Sequence, residues 1–175
     1  MLSAKVDRAA RPESRIEDLY LRHADAAIRL AYLLTGDATS AEDLVQDAFV
    51  RVAGRLGHLR DPGAFGGYLR RTVVNLSHSQ LRRKRLERAY LERAGSEART
   101  LGAAGAGGSF EDREHLWASL QRLSERQRSA IVLRFYEDLS EAEIADILRC
   151  RPGTVKSLLS RGLATMRDQI RGEER

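Results

Sequence analysis

Lys156, Ser157, Ser160 and Arg161 place two cations and two hydroxyls within one short segment near the end of the chain. On a helix, this grouping offers a basic fork and hydroxyls to base edges and phosphates. No residue set offers catalytic chemistry instead. The histidines, His23, His58, His78 and His115, are scattered without metal-ligand spacing, and no cysteine cluster accompanies them. There is no phosphate-binding glycine motif and no nucleophile elbow, since the glycine-rich stretch has no flanking strand pattern. The expectation is a chain without catalytic residues, metal or cofactor.

The elements around those four residues give them a setting. Ser140 and Glu143 form a capping box, in which each side chain satisfies a backbone donor at a helix start. Ile144, Ala145 and Leu148 follow at helical spacing. Arg149 to Arg151 leave room only for a tight turn, and Pro152 suits the first position of the next helix because it has no amide hydrogen to satisfy. In that helix Val155, Leu159, Gly162, Met166 and Ile170 mark a buried stripe, while Lys156, Ser157, Ser160 and Arg161 lie on another face. A helix, a short turn and a second helix with opposite charge make a helix-turn-helix signature. By itself it implies binding to duplex DNA.

Charge is segregated along the chain. The total is +5 with a pI near 9.8, which suits an anionic partner. Residues 15–50 hold three basic and seven acidic residues, whereas residues 51–93 hold eleven and three. Residues 137–146 carry five acids and no base, and residues 149–171 carry six bases and one acid. Such separation points to distinct surfaces for distinct partners. For any single patch, the solvated face of a helix is the plainer explanation. No signal-peptide core and no apolar run of bilayer length occurs, so a cytoplasmic chain with no membrane partner is expected. Cys150, the single cysteine, cannot form an internal disulfide and reads as a small packing residue in the turn.

The fold class expected is all-α, with two small helical domains joined by a flexible linker and a helix-turn-helix in the second. Ile16, Leu19, Tyr20, His23, Ala27, Leu30, Ala31 and Leu34 share one helical face that ends before Gly36. Thr39 to Glu42 reads as a further capping box, followed by Leu44, Val45, Ala48, Phe49, Val52 and Leu56. After a Gly/Pro loop, a third helix carries Phe65, Tyr68, Leu69, Thr72, Val73 and Leu76 and turns strongly basic at Arg82, Arg83, Lys84 and Arg85. The boundaries expected are an N-terminal extension over 1–14, a first domain over 15–94, a linker over 95–110 and a second domain over 111–172. The linker is too rich in glycine and alanine to weld the two, which should fold separately.

Ala41-Glu42-Asp43-Leu44-Val45-Gln46-Asp47 resembles a helix in the second conserved region of bacterial sigma factors of the extracytoplasmic-function group. Tyr68-Leu69-Arg70-Arg71-Thr72-Val73-Val74-Asn75 is similar to later parts of that same domain, and Leu123 to Gln127 with Leu139 to Arg161 looks like their domain four. The resemblance runs over residues 15 to 172 in the family's order. It implies an RNA polymerase specificity subunit, whose partners are core RNA polymerase and promoter DNA. Anti-sigma inhibitors of the group bind surfaces that leave no readable motif, so such a partner is compatible with this chain.

Residue by residue, the resemblance implies three sites. Arg151, Thr154, Lys156, Ser157, Ser160 and Arg161 would read the minus-thirty-five element. Asn75, Arg71, Arg82, Arg83, Lys84 and Arg85 would serve the opened minus-ten element, with the loop around 57–66 capturing a flipped base. Asp43, Gln46 and Asp47 would dock on core polymerase. Phe65 reads as a core aromatic, and Tyr68, where the family usually has Trp, is open between core packing and base contact. Asn75 stands out as polar within an apolar helix face. Departures from the pattern are Ser79 for a common Asp, Leu158 for a frequent Arg, Arg151 for a capping Ser or Thr, and Arg149 for a turn glycine. The competing reading is a stand-alone helix-turn-helix regulator whose first domain dimerises or senses a signal.

Overall fold

A computed structural model gives the fold and describes residues 12–55, 62–93 and 110–173. Seven α-helices and one short 3-10 turn make up these residues, and there is no strand among them. The first block holds α1 (Pro12–Thr35), α2 (Ala38–Ala53) and α3 (Phe65–Arg93), and α1 begins three residues before the boundary read from the sequence. Residues 57–61 of the loop expected to capture a base, and the linker at 95–109, lie outside the described residues.

Chain punctuation explains the first helices. Gly36 takes φ of +77°, a left-handed conformation that side chains resist, and its amide donates to the Tyr32 carbonyl at 2.7 Å. Asp37 then caps α2, accepting from the Ser40 amide at 3.2 Å and the Ser40 hydroxyl at 2.8 Å. The expected Thr39–Glu42 box is therefore not the cap. Asp37 stands at the turn and reaches the third helical amide first, which leaves Thr39 inside the helix. These bonds, with Lys84 nearby, hold the Asp37 carboxyl below its ordinary pKa. Leu30, Leu34, Val45, Phe65, Val73 and Val74 form the buried centre where α1, α2 and α3 meet. Phe65 is a core aromatic as expected, its ring 5.7 Å from that of Phe49.

The second block holds α4 (Phe110–Gln121), α5 (Glu125–Phe135), α6 (Glu141–Ile147) and α7 (Pro152–Glu173). Both expected capping boxes form, Ser124 with Gln127 and Ser140 with Glu143. The Ser140 bonds hold the exposed Glu143 carboxyl below its usual value. Between α6 and α7 the Cys150 amide donates to the Ala145 carbonyl at 2.9 Å and the Arg149 amide to the Asp146 carbonyl at 3.3 Å. This is a Schellman closure, and Arg149 occupies its left-handed position at φ +49° where glycine is usual. Leu133, Ile144 and Val155 are wholly buried, and Leu158 extends the apolar stripe with Leu159 and Gly162. A β-carbon at Gly162 would lie 3.1 Å from Ile131 Cγ1, so the small residue lets α7 approach α5 closely.

The two blocks do not stand apart. The contact between them is made by the helices themselves, not by the linker. Arg128 donates through Nη1 to the Leu34 carbonyl at 2.7 Å, and through Nε to the Leu120 carbonyl at 2.9 Å. It thus joins the C-terminal ends of α1 and α4, where carbonyls without helical partners carry partial negative charge. Trp117 stacks on Tyr32 at 6.4 Å and covers Gly36, and His78 Nε2 lies 2.7 Å from the Ser129 hydroxyl.

Candidate nucleic-acid interface

All six residues expected to read duplex DNA are exposed on or beside the start of α7: Arg151, Thr154, Lys156, Ser157, Ser160 and Arg161. The helix is anchored on its other face by Val155, Leu158 and Leu159, so this face projects without reshaping the core. Arg161 Nε donates to the Ser157 carbonyl at 3.1 Å, which aligns the guanidinium along the helix. Lys156 Nζ lies 3.9 Å from a Glu141 carboxylate oxygen, a weak exposed pair that releases its cation easily. The surface supplies a basic fork on a helix of 22 residues, as major-groove entry requires.

A second feature lies between α2 and α3. A cavity of about 430 Å³ is lined by Arg51, Val52, Arg55, Tyr68, Thr72, Asn75, Leu76 and Ser79. Its volume falls among small-ligand clefts. Asn75 and Ser79 are exposed, and Tyr68 keeps half its surface in solvent at 50 %. Tyr68, open between two readings from the sequence, is no core aromatic, and one expectation changes: Asn75 projects away from the apolar face, which is filled by its neighbours Val73 and Val74. One aromatic ring, one amide and two guanidinium groups around one hollow suit a planar, polar, anion-bearing guest. Arg51, Arg55 and Thr72 were missed from sequence, although Arg51 stands on the last turn of α2 and Arg55 follows four positions later, just past its end.

The basic residues of α3 are not equivalent. Arg82 and Arg83 are exposed. Lys84 turns to the first block, 3.5 Å from Asp37 Oδ2 and 3.2 Å from the Ser40 hydroxyl. Arg85 pairs with Glu125 at 2.8 Å, Arg71 with Asp146, and neighbouring Arg70 with Glu137 at 2.6 Å. All three acids belong to the second block. On the opposite side, Asp43, Gln46 and Asp47 form an exposed stripe on α2 that continues to Val50. Asp47 lies 3.4 Å from Arg51, so this stripe borders the cavity.

Family comparison settles what kind of molecule carries these surfaces. Residues 19–87 match the model for Sigma-70 region 2, and residues 113–166 match that for Sigma-70, region 4. The RNA polymerase sigma-E factor of Streptomyces avermitilis is 36% identical over 153 residues, covering 86% of this chain and 82% of the relative. The ECF RNA polymerase sigma factor SigW of Bacillus subtilis is 30% identical over 167 residues, covering 89% and 87%. The chain belongs to the extracytoplasmic-function group of the sigma-70 family. As a sigma factor it is a specificity subunit that binds core RNA polymerase and directs promoter recognition, so the stand-alone regulator is set aside. The sigma factor also shares its fold with RpoE of Bartonella quintana, solved in complex with the anti-sigma factor NepR. That match has a TM-score of 0.73 at 24% identity and covers 89% of this chain and 96% of the other. CnrH, solved with the cytosolic domain of CnrY, gives a TM-score of 0.65 at 23% identity, covering 91% and 90%. No helix among the described residues is long and apolar enough to cross a membrane.

Proposed function

We propose that this sigma factor divides promoter work between its blocks. The α7 face from Arg151 to Arg161 reads the minus-thirty-five element as duplex, and the cavity between α2 and α3 takes an unstacked base of the minus-ten element. The cavity carries this reading: a half-exposed Tyr68 offers a stacking plane, Asn75 offers paired donor and acceptor, and Arg51 and Arg55 neutralise the flanking phosphates. Arg71, Arg82, Arg83, Lys84 and Arg85 continue the track for the displaced strand. Asp43, Gln46 and Asp47, with Val50 beside them, form the docking stripe for core polymerase. The factor has no chemistry of its own and works in the cytoplasm beside polymerase. The anti-sigma factor NepR holds one of the structural neighbours, and an inhibitor of that class is the expected regulator here.

The test uses core polymerase loaded with the full chain on a promoter found by run-off transcription. With 2-aminopurine placed in turn across the minus-ten element, Asn75→Ala and Tyr68→Ala should slow strand opening about tenfold or more. Binding to an upstream duplex should stay unchanged. Lys156→Ala or Arg161→Ala should do the reverse, costing about 1–3 kcal/mol on the cognate duplex and less on random DNA. Normal opening by both cavity variants would refute the assignment.

A further inference from the structure

The last turns of α3 stand clear of the three-helix core. Lys84 is held by Asp37 and Ser40, whereas every residue from 85 to 90 except Ala89 is exposed. Two of them are large and apolar. Leu86 is 66% exposed, and Tyr90, at 74%, is the most exposed large apolar side chain among the described residues. Helices in proteins owe most of their stability to a packed apolar face, and these two side chains contribute little to one. Their place on the helix follows a pattern. Tyr68, Thr72, Asn75 and Ser79, which line the cavity from the α3 side, succeed one another at steps of four, three and four. Three or four residues further come Arg82 and Arg83, and the same spacing then reaches Leu86 and Tyr90. The cavity face of α3 therefore runs on in phase to the end of the helix.

We propose that Leu86 and Tyr90 form the far end of one DNA track. The strand that leaves the cavity passes Arg82 and Arg83 and lays a base or sugar face against these two side chains. The inference rests on the reading of the cavity as a base-holding site and adds to it a contact of a different kind. Cations interleaved with an aromatic ring suit a nucleic-acid strand, with phosphates on the guanidinium groups and a base or sugar on the ring. A protein docked there would instead have to take the neighbouring guanidinium groups out of water and pair them. Asn75 and Tyr90 are fifteen positions apart, about 22 Å along the helix axis. At about 3.4 Å per nucleotide, that places the Tyr90 contact roughly six or seven nucleotides from the held base. Tyr90 carries no charge, so its contact adds affinity without releasing a counterion.

The test uses core polymerase loaded with the full chain on a pre-melted promoter, with affinity measured over a range of salt. Tyr90→Ala should bind about fivefold or more weakly, with the slope of log affinity against log salt unchanged. Tyr90→Phe keeps the ring and should bind as the wild type does. Trimming the DNA from one end to within about three nucleotides of the held base should erase the difference between wild type and Tyr90→Ala, and trimming from the other end should preserve it. Wild-type affinity in Tyr90→Ala would overturn the inference, as would a deficit that survives trimming from either end. Weaker assembly of Tyr90→Ala with core polymerase in the absence of DNA would make the helix end a protein contact and overturn it too. Asn75→Ala, measured alongside, reports on the cavity separately. A loss there with none at Tyr90 overturns the extended track alone, and a loss at neither overturns both readings.

Discussion

Single positions carry more than their types announce. Arg149 stands in the left-handed position of the α6–α7 turn, a conformation that hinders any side chain with a β-carbon. Arg149→Gly should therefore raise the stability of the second block by about 0.5–1 kcal/mol, seen as a higher melting temperature with α7 unaltered. The sequence exposed this site, because the family's turn glycine is missing there, but only the backbone angle says that the closure still forms. His78 was read as one of four unremarkable histidines, and its role depends on Ser129, 51 positions away. Burial lowers its pKa from 6.5, Arg126 and Arg128 reinforce that, and Glu125 opposes it. The closed chain thus binds the proton less readily than the open one. Its closure is fully stable above the ordinary histidine value of 6.5 and weakens as the pH falls below it. Trp117 emission should red-shift between about pH 7 and 5.5 in the wild type, and His78→Gln should flatten that profile.

Helices were the most legible level, for a physical reason: apolar periodicity and capping residues are local. The boxes at Ser124 and Ser140 and the buried stripe of α7 could be read directly. Where two capping signals competed, the sequence could not rank them, and Asp37 took α2 from Thr39 because it sits where the chain turns. The face of α3 was harder. Its polar and apolar residues interleave, so Asn75 and Tyr68 could be assigned only once α2 had closed the other side of the cavity. The same helix shows that a basic run is not one surface. Arg82 and Arg83 face solvent, whereas Lys84 is held by Asp37 and Arg85 by Glu125. Replacing Arg82 and Arg83 with Gln should flatten the slope of log affinity against log salt by about 0.7 for each lost contact, measured for holoenzyme on a pre-melted promoter. Replacing Lys84 should change it less.

At the level of the whole molecule, the packing of the blocks left almost no trace in the sequence. It depends on a glycine at the end of one helix receiving a tryptophan from another, and neither residue is unusual where it stands. A β-carbon at Gly36 would overlap Trp117 Cζ2, in a backbone conformation that already disfavours it. Gly36→Ala should therefore cost about 1–2 kcal/mol through the α1 terminus alone and in addition push the blocks apart. The check is a lower melting temperature together with a larger radius of gyration in solution scattering. A variant that melts earlier yet keeps the wild-type radius would show that the blocks adhere without Trp117.

Arg128 gives the contact between the blocks an asymmetry with a mechanical meaning. Near it the blocks are joined by a buried cation on backbone carbonyls and by stacked rings, interactions that dissolved ions scarcely reach. Along α3 they are joined by partly exposed carboxylate–guanidinium pairs, which screening and competing polyanions weaken readily. One side is a pivot and the other a latch. Added salt should therefore loosen the α3 side while Arg128 still holds, so the contact between the blocks gives way from one edge rather than all at once.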